Sequence, residues 1–192
     1  MATIVGTNAS NELFGTRFSD LIRGLGGNDE IEARAGNDRV YGGAGHDDID
    51  GDAGNDTLSG DGGNDELDGD VGNDWLLGGT GHDDLSGSAG NDRLSGGVGN
   101  DHLDGGAGSD VLIGGAGRDV FEFERGERGT DRITDWTDGQ DRIDLDDFNY
   151  TLRQAVSRGV QAGDDVRFDF AGSIVIVEDA SLSSFGAGDF IL

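Results

Sequence analysis

The chain has 192 residues, of which 38 are glycine, 40 are acidic and 13 are basic, and it holds neither proline nor cysteine. A formal charge of −27 argues against nucleic acid and anionic membranes as partners, and it opposes compaction unless cations neutralise it. Absent cysteine removes disulfides, zinc–thiolate sites and thiol nucleophiles together, and no apolar stretch approaches the ~20 residues that a membrane helix needs.

The opening residues Met1 to Asn8 carry no basic region and no apolar run, so they do not read as a Sec-type signal peptide. From Gly6 to Glu122 the sequence repeats every nine residues, thirteen times, without an insertion. With Gly6 at position one, that position is glycine in twelve repeats, Ala33 being the exception. Position four is glycine in eleven, the exceptions being Ala9 and Phe18, and position six is aspartate in twelve, the exception being Asn11. Position eight is apolar in all thirteen, from Leu13 and Ile22 through Leu76 to Phe121. Positions seven to nine read as a very short strand with one inward apolar side chain, and positions one to six read as a turn. Glycine is needed in the turn for positive φ and for close packing on the next turn. The composition alone suits a disordered acidic linker, but a linker has no need of an unbroken apolar column.

The pattern is GGxGxDxUx, with U a large apolar residue; Gly42 to Asp50 reads GGAGHDDID. It resembles the calcium-binding nonapeptide of the RTX (repeats-in-toxin) family, and the motif covers residues 6 to 122. The resemblance implies an all-β fold, a parallel β-roll (β-solenoid) in which two turns make one coil and repeat n stacks on repeat n+2. It implies that each Ca²⁺ lies between stacked turns and takes the position-six carboxylates of both. Carried over, these are Asp20, Asp29, Asp38, Asp47, Asp56, Asp65, Asp74, Asp83, Asp92, Asp101, Asp110 and Asp119. Backbone carbonyls complete the shell. At position one they belong to Gly42, Gly51, Gly60, Gly69, Gly78, Gly87, Gly96, Gly105 and Gly114. At position four they belong to Gly27, Gly36, Gly45, Gly54, Gly63, Gly72, Gly81, Gly90, Gly99, Gly108 and Gly117.

Physical chemistry agrees with that ion. Stacked carboxylates roughly 5 Å apart repel by about 3 kcal/mol at an effective dielectric of 20. A hard cation with six to eight oxygen ligands removes the penalty, and calcium tolerates irregular geometry better than magnesium. Two columns of seven and six turns leave eleven gaps. With Asn11, Phe18 and Ala33 interrupting the first of them, roughly eight to eleven ions are expected.

After Glu122 the period stops, which divides the chain into residues 1–122 and a capping region at 123–192. Residues 129–145 alternate like strands around a Thr-Asp-Gly turn, Val166, Phe168 and Phe170 alternate, and Ile174 to Val177 is β-branched. Leu152 to Arg158 suits one helical turn or two. The segment reads as a small β-rich cap over the end of the roll. It is similar to the C-terminal regions of secreted RTX proteases, lipases and mannuronan epimerases. The last residues, Asp189-Phe190-Ile191-Leu192, resemble that family's type I secretion signal, which implies export through type I machinery to the extracellular medium.

No catalytic constellation is found: neither HExxH nor GxSxG occurs, and His46, His82 and His102 read as solvated. The reading is therefore non-enzymatic unless a catalytic domain lies upstream, in which case the chain is the folding or substrate-binding module of a secreted hydrolase or epimerase. The outer faces differ. Positions seven and nine of the odd repeats are acidic in ten of fourteen cases, and those of the even repeats in none. The even sheet is thus the candidate partner face, through Arg23, Arg39, Tyr41, Trp75, Leu77 and Arg93. It would take an extracellular glycan or a second copy, unless the C-terminal segment covers it. An ice-binding face would need threonine throughout position three, where only Thr80 stands.

Overall fold

The position-eight side chain decides the architecture. In the computed structural model, which describes residues 1–192, every such residue from Ile22 to Phe121 is at most 1% exposed. Strand partners differ by eighteen residues: Leu21 faces Arg39, Arg39 faces Thr57 and Thr57 faces Trp75. Two nonapeptides therefore complete one coil of a parallel β-roll, with the odd and even repeats on opposite walls.

The even repeats build the first sheet. Its strands run in the order Thr3–Val5, Leu21–Gly26, Arg39–Ala44, Thr57–Gly62, Trp75–Thr80, Arg93–Val98 and Val111–Ala116. The odd repeats build the second, from Glu12–Phe14 and Glu30–Glu32 through Asp48–Asp50, Glu66–Asp68, Asp84–Ser86 and His102–Asp104 to Val120–Glu122. Strands of the second sheet have the three residues expected, but the later ones of the first have six. There the ladder continues through positions one to three of the next turn. From Leu25 onward position two holds left-handed backbone, and on this side it is mostly glycine at φ near +100°, as at Gly43 and Gly97. On the other side Asp52, Asp70 and Ser88 hold φ near +61°, and the chain leaves the sheet after position nine.

The nine-residue period ends at Glu122, but the parallel stacking does not. Gly129–Ile133 lies on Val111–Ala116 with Arg132 facing Val111, an offset of 21, and Arg142–Asp144 lies on Val120–Glu122 with an offset of 22. Ser173–Val177 adds a further parallel rung, and antiparallel Asp165–Phe170 and Gly159–Ala162 complete the first sheet. The helix is a single short turn, Leu152–Val156, started by a Thr151–Gln154 capping box. Phe148, Phe168, Phe170, Phe185 and Phe190 are buried together at this end and extend the apolar column. No helix is long and apolar enough to cross a membrane.

Candidate metal centre

The position-six aspartates are charged residues where water is almost absent. All twelve from Asp20 to Asp119 are buried, none more than 3% exposed. One oxygen of each is used in the same way throughout. Oδ1 accepts the backbone N–H of the residue one coil earlier, which is Ala2 for Asp20, Asn11 for Asp29 and the preceding ladder aspartate from Asp38 onward: Asp56 from Asp38 at 2.6 Å, Asp74 from Asp56 at 2.7 Å, Asp92 from Asp74 at 2.7 Å. The other oxygen is not used. Oδ2 of Asp29, Asp38, Asp47, Asp56, Asp65, Asp74, Asp83, Asp92, Asp101, Asp110 and Asp119 is buried with no hydrogen-bond partner. A buried, unsatisfied carboxylate oxygen is costly, and here the same cost recurs on every turn.

Glycine explains where those oxygens point. A Cβ at position one would fall against the Oδ2 of its own repeat's aspartate, as Gly42 would on Asp47 and Gly60 on Asp65. At position four a Cβ would fall on the carbonyl of the position-four glycine one coil earlier, as Gly81 would on Gly63. The position-four carbonyls of Gly27 through Gly81 accept no backbone hydrogen bond. Each gap therefore gathers carboxylate and carbonyl oxygens in a space that any side chain would fill. Such an all-oxygen donor set fits a hard cation such as Ca²⁺ and lacks the nitrogen or sulfur that zinc prefers. No cluster of three or more acidic or histidine side chains occurs that could hold a metal by itself, so backbone oxygens are necessary partners.

The electrostatics point the same way. Burial, reinforced by the aspartates above and below, pushes the carboxyls of Asp56 and Asp92 up to about 7 and those of Asp65 and Asp101 up to about 6. Asp38, Asp47, Asp74, Asp83 and Asp119 are raised by the same burial, against the N–H bond to Oδ1. Asp20 is lowered instead, because Ala2 N–H and Thr16 donate to it. Its Oδ2 accepts Thr16 N–H at 2.8 Å and the Thr16 hydroxyl at 2.7 Å, so the ladder of free oxygens begins only at Asp29. Asn11, at position six without a charge, accepts Thr7 N–H at 2.6 Å.

Two ladder residues escape the nine-residue count. Asp131 and Asp141 are buried, and each accepts at 3.1 Å, from Asp110 N–H and Asp119 N–H respectively. Asp141 Oδ2 accepts Thr137 N–H at 2.7 Å, closing this end as Thr16 closes the other. The signal was present: Asp131-Arg132-Ile133 and Asp141-Arg142-Ile143 both repeat positions six to eight.

The histidines are not simply solvated. His46 and His82 accept the N–H of Asn64 and Asn100 through Nδ1 at 2.7 and 2.8 Å, within a position-five ladder that runs one coil at a time. Asn55 and Asn73 do the same through Oδ1. His102 bridges Asp84 at 3.1 Å and Glu122 at 2.8 Å, and the Asp84 carboxylate raises its pKa despite partial burial.

On the first sheet's outer face, Arg39, Trp75 and Arg93 share one row, and Arg23, Tyr41 and Leu77 share the next. Trp75 is 47% exposed, and Arg23 lies 5.7 Å from the Tyr41 ring centre. The C-terminal segment extends this sheet and leaves these residues exposed, Leu77 partly so. Arg23, Leu25, Tyr41, Gly43 and Asp61 line a shallow groove of about 330 Å³.

The sequence matches the family described as RTX calcium-binding nonapeptide repeat (4 copies) in overlapping stretches: 5–40, 24–58, 41–76, 50–85, 59–94, 86–121 and 95–133. No curated protein sequence matches the chain. Among solved structures, it is similar to the extracellular lipase LipA of Serratia marcescens, at 20% identity and a TM-score of 0.40 over 95% of this chain and 40% of the lipase. It is also similar to a subunit of the mannuronan C5-epimerase of Azotobacter vinelandii, at 32% identity and a TM-score of 0.36 over 67% of this chain and 78% of that subunit. The chain thus spans less than half the length of the lipase.

Proposed function

The chain belongs to the RTX calcium-binding nonapeptide repeat family, and from that premise we propose that it is a secreted, non-enzymatic module that Ca²⁺ folds outside the cell. The reading rests on one observation: eleven buried carboxylate oxygens without partners, in register with the coil. In it the position-six aspartates from Asp29 to Asp119, with Asp131, are the acidic ligands, and position-one and position-four carbonyls supply neutral ones. When bound, the ion turns the repulsion between stacked carboxylates into attraction, so binding free energy becomes folding free energy. In cytosol poor in calcium the chain stays unfolded and fit for a type I channel, with Asp189–Leu192 as the export signal and residues 123–192 as cap. The test is a calcium titration of the chelated protein followed by far-UV circular dichroism. A cooperative gain of β-structure is expected; a chelated chain already folded at neutral pH would sink the proposal.

A second reading is that the chain is the substrate-binding module of a larger secreted enzyme. The arginine and aromatic side chains on the first sheet favour it, since on a chain of −27 they give one face suited to an acidic glycan. Binding of a soluble polyuronate in calcium, lost in Trp75→Ala and Tyr41→Ala, would support it; equal binding by these variants would refute it.

A further inference from the structure

From Leu25 to Gly115 each coil of the first sheet places one left-handed residue at position two. Four of these six are Gly43, Gly79, Gly97 and Gly115, and the other two are Leu25 at φ +83° and Asp61 at φ +69°. Aspartate visits this region at modest cost, but a branched aliphatic residue there is an outlier, because its Cβ crowds the backbone carbonyl. Packing of the roll requires neither side chain. Asp61 is exposed, and Leu25 is 46% exposed and stands outside the apolar column. Backbone strain that glycine would relieve, kept for the sake of an exposed side chain, points to a use for that side chain.

The two exceptions flank a glycine. In the ladder Leu25 faces Gly43 and Gly43 faces Asp61, while two residues earlier in each strand Arg23 faces Tyr41 and Tyr41 faces Ser59. Leu25 and Asp61 are thus two strands apart, about 10 Å between backbones, with only the Gly43 backbone between them. This is the groove of about 330 Å³: Gly43 is its floor, Leu25 and Asp61 are opposite walls, and Tyr41 with Arg23 forms its side. Further along the sheet Gly79, Gly97 and Gly115 follow one another, and no position-two side chain bounds a similar space. The polar groups of the groove are already oriented. Asp61 Oδ1 accepts the Ser59 hydroxyl at 2.7 Å, which fixes the carboxylate and leaves its second oxygen available. The Arg23 guanidinium lies 5.7 Å from the Tyr41 ring centre and pairs with no carboxylate.

We propose that this groove binds one neutral pyranose ring. Its C–H face packs on Tyr41 and Leu25, which supply the apolar surface. One ring hydroxyl donates to Asp61, and its neighbour accepts from Arg23. A carboxylate only accepts and a guanidinium only donates, so the pair suits a group that does both. The charges of Arg23 and Asp61 cancel within the groove, and a carboxylate on the ring would meet Asp61. The volume lies at the lower end for small-ligand clefts and holds a single ring. The site needs the calcium-folded roll, but it is independent of the acidic-glycan reading, which a neutral ligand does not test.

Methyl glucoside, methyl mannoside and methyl galactoside, each titrated into the full chain in saturating calcium and followed by backbone amide NMR, test this. At least one should give saturable shifts centred on Tyr41, Gly43 and Asp61. Leu25→Gly and Asp61→Gly restore the residue that the other coils carry, so neither should lower the thermal midpoint in calcium. Each should nevertheless weaken binding roughly tenfold or more. Val98→Ala, at an exposed position of the same sheet outside the groove, should leave binding unchanged. The proposal is overturned if none of the three glycosides gives saturable shifts at the groove, if either glycine variant binds as the parent does, or if Val98→Ala weakens binding equally. Glucuronate binding more tightly than methyl glucoside would overturn the assignment to a neutral ring. Failure of the parent chain to fold on calcium would instead refute the calcium reading, and circular dichroism reads that separately.

Discussion

Substituting Asp74 by asparagine isolates the charge of one ladder residue from its shape. Asp74 lies between Asp56 and Asp92; its Oδ1 accepts Asp56 N–H at 2.7 Å, its own N–H donates to Asp92 Oδ1 at 2.7 Å, and its Oδ2 is buried and free. Asparagine keeps the Oδ1 acceptor, and Asn11 shows that position six accommodates it. Without a cation, Asp74→Asn removes two like-charge contacts at ~5 Å, each about 3 kcal/mol at an effective dielectric of 20, so the metal-free roll is relieved. With calcium the sign reverses, because the gaps above and below each lose one of two carboxylates. A site filled at a hundred times its Kd contributes about 2.7 kcal/mol, so losing two costs about 5 kcal/mol, comparable with the stability of a small domain. Native mass spectrometry should count two fewer ions, and the calcium midpoint of folding should rise. An unchanged ion count and midpoint would refute the ligand assignment. An equal loss of stability in chelator would show that the role of Asp74 is packing alone.

The raised carboxyls set a pH window for the chelated chain. Their unfolded pKa is about 3.9 and their folded values reach about 6 to 7, so the stability they contribute is present below ~4 and is lost as pH rises through 6 to 7. Circular dichroism in chelator should therefore show β-structure at acid pH that disappears towards neutrality; a chelated fold most stable at neutral pH would contradict this. Gly81→Ala meets both a φ of +145° and the Gly63 carbonyl, and it should open the stacking locally, seen as lost amide protection from Gly63 to Gly99 in saturating calcium. Leu76→Ala, at a fully buried site in the middle of the column, should cost about 3–5 kcal/mol in urea unfolding at fixed calcium. Phe190→Ser should lower the thermal midpoint, since Phe190 packs on Phe168 and Phe185 and its strand pairs with Arg142–Asp144.

Legibility in the sequence followed how rigidly each position is constrained. Position eight tolerates only an apolar side chain because it lies between two walls, so the nine-residue column marked the strands and the core, whereas the eighteen-residue coil was implied by the family resemblance and is seen in strand partners eighteen residues apart. Position six was equally plain from Asp20 to Asp119. Asp131 and Asp141 were missed because insertions of three and four residues enter at the turns, where loop length is cheap, while the strands keep register. Position five looked variable because the requirement there is functional rather than chemical: Asn, Ser and neutral His all offer an acceptor at the right reach. Arg118 breaks the set above Asn100, and the next residue in that column, Gln140, donates its N–H to Thr137 instead, so no acceptor is required of Arg118.

The C-terminal tetrapeptide shows how one segment can satisfy two demands. Its acidic-then-apolar pattern resembles an export signal, yet Ile143 N–H donates to Asp189 O at 2.8 Å, Leu145 N–H to Ile191 O at 2.9 Å, and Phe190 is buried among aromatic rings. A terminal strand on the second sheet requires the same alternation of polar and apolar residues that the signal pattern shows. Once the strand is docked, the Phe190 side chain cannot be read from solution, so any receptor for this tail must act before the cap closes. Thr137 closes the acidic ladder through Asp141, two residues before Ile143, the strand partner of Phe190. Closing the ladder and burying the tail therefore involve the same stretch of chain, and the calcium that relieves the ladder's charge also favours the state in which the tail is hidden.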